Sequence, residues 1–218
     1  MRPAAPAPWF VGIRTVGVAE LARAVDLPTI VLLFAFMVLS AQLRMAGFYA
    51  AVARQVGAMP LSRAGLLGAL IVVAATLSAV FSNDVVCLAM TPVVARLCLQ
   101  RRLPPLPFLL ALACAANIGS AATLIGNPQN MLIGSVLQVP FGAHLRQALP
   151  PVAASLLLLW AWLAFGPGAR AAPVAPGHVN GPTAAPADDP PLDRWQAAKG
   201  LAVATALMAV FLFTGWQR

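Results

Sequence analysis

Two stretches hold most of the polar chemistry in an otherwise apolar chain. The first is "SND", Ser82, Asn83 and Asp84; the second is "NIGSAATLIGNPQN", residues 117–130. Asp84 is the only acidic residue between Leu27 and Ala187. The triplet offers a hydroxyl, an amide and a carboxylate side by side. A helix that ends beside it adds unpaired backbone carbonyls. Hard cations such as sodium need several oxygens, and an unwound tip at membrane depth supplies them. An ionisable residue within a membrane segment marks a functional site by default. The same three residue types are also the favoured N-caps of helices, and a cap can double as an ion site. Thr91, beside Pro92, is a secondary candidate.

The second stretch is uncharged. Asn117, Ser120, Thr123, Asn127, Gln129 and Asn130 donate and accept hydrogen bonds, while Gly119 and Gly126 let the backbone approach a ligand closely. Asn127-Pro128 turns the chain away from helix. Amides freed at the start of a following half-helix can hold an anion.

Composition restricts what these groups can serve. Of 218 residues 9% are charged, against about 25% in soluble domains, and mean hydropathy is +0.84. The net charge of +8 does not indicate nucleic acid, because the arginines sit in short segments between apolar runs, as topology signals do. Cys87, Cys98 and Cys114 lie in apolar segments without CxxC spacing and read as small buried hydrophobes. His144 and His178 fall in expected loops and are assigned no role. There is no GxSxG, HExxH or Walker A motif, so neither an enzyme nor an ATP-driven pump is indicated, and no cofactor. The N-terminus has no clear cleavable signal peptide.

The elements that must position the two stretches are short. Residues 1–26 form an N-terminal segment. A helix is expected over 27–53, ending at the interface. Apolar arms flank "SND" over 64–98, each short of the roughly 20 residues of a spanning helix, which reads as a re-entrant hairpin. Such a tip survives at membrane depth only when buried in protein or facing a cavity. Residues 105–139 form a discontinuous helix interrupted by the second stretch. A spanning helix follows over 148–165. Residues 167–195 are a Pro/Ala/Gly-rich cytoplasmic linker, and a further helix starts in 196–218. Arg54, Arg63, Arg96, Arg101 and Arg102 bracket the hairpin and set that side as cytoplasmic. The fold class is an all-α membrane protein.

At these motifs the sequence resembles the ion transporter superfamily, which includes divalent anion/sodium symporters, arsenical pump membrane proteins, citrate transporters and NhaD-type antiporters. "FSNDVVCLAMTPVV" is similar to that group's hairpin tip and "NIGSAATLIGNPQN" to its broken helix; the likeness covers roughly residues 25–166. It implies one repeat of an inverted-repeat carrier in a bacterial inner membrane. The cargo would be an inorganic or small organic anion coupled to Na⁺ or H⁺. Ser82, Asn83, Asp84, Asn117, Gly119, Ser120, Thr123, Gly126, Asn127 and Asn130 would bind substrate and ion, with Na⁺ at Ser82, Asn83, Asp84, Gly119 and Ser120. Two departures stand out. Asp84 replaces a threonine of the symporter branch, which favours a cation or proton role and admits a cation/proton antiporter. And one repeat is visible where the family carries two, so 196–218 reads as the truncated start of a second. A homodimer or a missing second half would complete the carrier; otherwise the chain is a non-transporting fragment or assembly partner.

Overall fold

A computed structural model describes residues 27–166 and 191–213. The expectations for residues 1–26 and for most of the linker lie outside these. Among the described residues there are eight helices and no strands: α1 Leu27–Met45, α2 Phe48–Ala58, α3 Arg63–Val80, α4 Asn83–Gln100, α5 Pro105–Ser120, α6 Pro128–Leu137, α7 Phe141–Phe165 and α8 Arg194–Phe213. The chain is an all-α membrane protein. Helices α3 and α7 are each long and apolar enough to cross a bilayer. A third span results if Leu33–Met45 and α2, bent by 56° at their junction, are counted together.

The helix expected over 27–53 is therefore two helices. The break falls at Gly47, whose φ of 70° belongs to the left-handed region that a residue without Cβ enters freely. Helix α7 also starts earlier than expected, at Phe141. Pro150 and Pro151 sit inside it on the exposed side.

Helix α5 is the centre of the fold. It lies along α3, and also touches α4 and α7, while α4 leans on α2. Leu67, Ile71 and Ala74 of α3, Val86 and Met90 of α4, and Phe108, Leu112 and Ala115 of α5 share one buried core. A smaller core, Phe36, Leu124, Ile125, Met131 and Phe141, packs the residues after α5 against α1 and α7. Many large apolar side chains elsewhere, such as Phe34, Leu158 and Phe165, point outward. In a membrane protein such a surface meets lipid or further protein rather than water.

Candidate functional site

The arms α3 and α4 are 18 residues each, about 27 Å at helical rise, joined through Phe81 and Ser82. Helix α3 has the apolarity of a span; α4, with Asn83, Asp84, Pro92 and Arg96, does not. Ser82 occupies the N-cap position of α4 but its side chain makes no capping bond. Simple capping therefore does not account for this serine.

The tip meets the broken helix through Asn83. Its Nδ2 donates to Asn117 Oδ1 at 3.0 Å, and Asn117 Nδ2 donates to the Ala113 carbonyl at 2.9 Å. Asp84 is exposed in the first turn of α4. Successive residues are about 100° apart around a helix, so only one of Asn83 and Asp84 can be aimed at α5. Among the described residues no group of three His, Cys, Asp or Glu side chains forms a metal cage.

Two half-helices border the irregular residues 121–127, and the sequence dictates both ends. At the near end, Gly119 lies against α3 so closely that a Cβ there would sit 2.4 Å from the Cα and carbonyl oxygen of Ala75. At the far end, Asn127 caps α6: its Oδ1 accepts from the Asn130 amide at 2.8 Å, and Pro128 follows at the position where a missing N–H costs nothing. Between them the backbone is buried from Ala122 to Gly126. Irregular backbone at membrane depth persists only under such cover, and with its polar groups paired.

The pairing uses most of the candidate side chains. Asn127 Nδ2 donates to Ser120 Oγ at 3.2 Å, and that hydroxyl donates to the Asn117 carbonyl at 2.9 Å. Asn130 Nδ2 donates to the Thr123 carbonyl at 3.0 Å and approaches the Ser120 carbonyl at 3.5 Å. Thr123 Oγ1 donates to the Ala79 carbonyl, tying the break to the end of α3. Gly126 is packed against the Ser120 carbonyl, with no room for a Cβ. So Asn83, Asn117, Ser120, Asn127, Asn130 and Thr123 form one network, with Gly119 and Gly126 as its contact points. Ser82, Asp84 and Gln129 stand outside it, and Thr91 bonds back to Cys87 within α4 at 2.7 Å. Of the five residues expected to hold Na⁺, Ser120 Oγ bonds the Asn117 carbonyl and Asn127 Nδ2, Asn83 Nδ2 bonds Asn117, Gly119 packs on Ala75, and Asp84 is exposed.

One residue was overlooked. His144 Nε2 lies 3.2 Å from the Ala121 carbonyl, one of the carbonyls left over at the end of α5; with its proton on Nε2 the ring donates there. The missed signal was Pro140, which starts α7 at Phe141 and so puts His144 in a helical first turn rather than a loop.

The sequence profile described as citrate transporter matches residues 4–217. The silicon efflux transporter of Oryza sativa subsp. japonica is 42% identical over 132 residues, 61% of this chain and 27% of its own. The P protein of Homo sapiens is 42% identical over 115 residues, 51% of this chain and 13% of its own. The inner membrane protein YbiR of Escherichia coli is 31% identical over 144 residues, 65% and 39% respectively. The chain thus spans well under half the length of these relatives. No solved structure matches it significantly.

Proposed function

The chain belongs to the citrate transporter family, and from that premise we propose that it forms part of a secondary carrier moving a small inorganic or organic anion, driven by Na⁺ or H⁺. The observation that carries this reading is the Asn83–Asn117 bond, which links the tip of one helix pair to a buried, interrupted helix. Helix ends aimed into a membrane interior are how carriers assemble binding sites. The α4 and α6 N-termini supply amides for an anion. Ser82 Oγ, Asn83 Oδ1 and the Asp84 carboxylate supply oxygens for a cation. The membrane is proposed to be a bacterial inner membrane.

The test is reconstitution of the full chain in liposomes under an imposed Na⁺ or pH gradient. Citrate and silicic acid serve as first probes, prompted by the family description and the rice relative. Gradient-driven uptake that is lost in Asn83→Leu supports the proposal. Uptake unaffected by Asn83→Leu and Asp84→Ala would remove the site from it. The match covers 27% of the rice protein, and a second proposed reading is that these residues carry flux only together with further helices, of a longer chain, a partner chain or a second copy. Flux absent alone and restored by co-reconstitution would select that reading.

A further inference from the structure

The elbow between α1 and α2 folds two hydroxyls into the protein interior. Ser40, near the end of α1, and Tyr49, in the first turn of α2, are both fully buried. Neither hydroxyl has a hydrogen-bond partner among the described residues. Elsewhere the helical hydroxyls of Thr76, Thr91 and Thr205 each bond the carbonyl four residues back. Ser40 could fall back in the same way on the Phe36 carbonyl and does not. It is instead the polar side chain that faces the Tyr49 hydroxyl, and the two stop short of a direct bond.

The Tyr49 ring is fixed where it lies. It meets Phe81 edge-on at 6.0 Å between centroids, and Phe48 at 5.4 Å. Phe81 is the C-cap of α3 and precedes Ser82, so through this ring α2 rests beside the tip. Helix α8 closes the end of α1. A Cβ on Gly200 would lie 2.7 Å from Leu43 Cδ2, and the Asp193 amide donates to the Ala46 carbonyl at 3.0 Å.

A buried hydroxyl without a partner is costly, and buried polar groups of folded proteins are paired. Two hydroxyls that face one another without bonding are the setting in which a bridging water serves. Each can donate and accept, so together they supply at least two of the roughly two to four bonds of a buried water. A cation fits less well, because two neutral oxygens do not replace its hydration shell.

We propose that an ordered water bridges Ser40 Oγ and Tyr49 Oη and locks the elbow onto the tip of the α3–α4 pair. It accepts from one hydroxyl and donates to the other, so removing either one strands its neighbour.

The experiment is X-ray radiolytic labelling of the full chain in detergent, read by mass spectrometry. Radicals formed from a bound water oxidise the side chain beside it, even one closed to solvent. Tyr49 is the only tyrosine of the chain, so a mark on it is unambiguous. Wild-type Tyr49 should gain an oxygen although it is buried. After brief mixing into water enriched in heavy oxygen, that label should keep ordinary oxygen, while exposed Trp195 takes up the heavy isotope. Ser40→Ala should lose most of the Tyr49 label. In thermal unfolding Ser40→Ala and Tyr49→Phe should each lower the melting midpoint by about 2–4 °C, and the double variant should melt no lower than the worse single one. A wild-type Tyr49 that stays unlabelled would overturn the proposal, leaving at most a direct bond between the hydroxyls. Equal labelling in Ser40→Ala would overturn it as well. So would a midpoint raised by either single substitution, since the hydroxyl removed would then have been unpaired. A wild-type midpoint higher in sodium chloride than in choline chloride, with the difference abolished in Tyr49→Phe, would give the site to a cation and sink the water. Should Ser40→Ala not fold, the wild-type label, its isotope and the Tyr49→Phe midpoint decide.

Discussion

Asn127 performs two separable tasks, and substituting it in two ways tells them apart. Its Oδ1 caps α6 at 2.8 Å from the Asn130 amide, and its Nδ2 holds Ser120 Oγ at 3.2 Å. Asn127→Ala removes both. A lost N-cap costs about 1 kcal/mol, and a lost neutral hydrogen bond about another 1 kcal/mol. For a chain of this size each kcal/mol lowers the melting midpoint by about 2–4 °C, so Asn127→Ala should lose about 4–8 °C. Asn127→Asp keeps an oxygen for the cap and places a negative charge at a helix N-terminus, which favours it. It cannot donate to Ser120, whose own hydrogen is committed to the Asn117 carbonyl at 2.9 Å. The Asp variant should therefore fall between wild type and Ala, about 2–4 °C down. Fluorescence-detected thermal unfolding in detergent reads all three. If Asn127→Ala melts with the wild type, the break is not held by this residue. If Asp and Ala melt together, the cap contributes nothing.

Gly119→Ala should cost about 1–3 kcal/mol by overpacking against Ala75; Ala75→Gly should not rescue it, because the clash is with backbone atoms, and a rescued melting midpoint would contradict that geometry. A double-mutant cycle of Asn83→Ala and Asn117→Ala should show a coupling of about 1 kcal/mol in unfolding free energy, and additive single effects would mean the tip is not tied to the broken helix. His144→Gln should leave thermal stability unchanged, since an amide can still donate to the Ala121 carbonyl. His144→Ala should lower the midpoint by about 2–4 °C, the loss of one hydrogen bond to the Ala121 carbonyl.

The interrupted helix was readable because its signals are local. Asn127-Pro128 fixes the start of α6 and the glycines fix where backbone meets backbone, so the break lies where the polar run does. The bend at Gly47 had only one glycine in an apolar run to announce it, and apolar continuity outweighed it. A span was expected over 148–165, yet the helix already begins at Phe141, after Pro140, and continues through Pro150 and Pro151. Thr123 reaching Ala79 is a contact between residues 44 apart in sequence, and no local pattern encodes it. Charge singles out Asp84 in the sequence, while the bond to the broken helix is made by its uncharged neighbour Asn83.

That exchange of roles changes what the two stretches offer a ligand. Most side-chain polar groups of the break are spent on the break itself: Ser120 Oγ gives and receives, Asn127 caps and clasps, Asn130 pairs with carbonyls. Such a network shapes a surface but has few free oxygens to surrender. The tip is the reverse. Ser82 makes no capping bond, Asn83 commits only its amide nitrogen, and Asp84 is exposed. A carboxylate cannot rest against hydrocarbon at membrane depth without a partner or water. In the proposed carrier the flank of α4 that carries Asp84 would therefore meet an aqueous cavity, a bound cation or another protein surface. The broken helix would supply rigidity to the proposed site, and the tip its ligands. Asp84→Asn, which preserves shape and removes charge, should then abolish ion coupling in the reconstituted carrier while leaving the melting midpoint within about 2 °C of wild type; a large loss of stability would instead make Asp84 a structural residue.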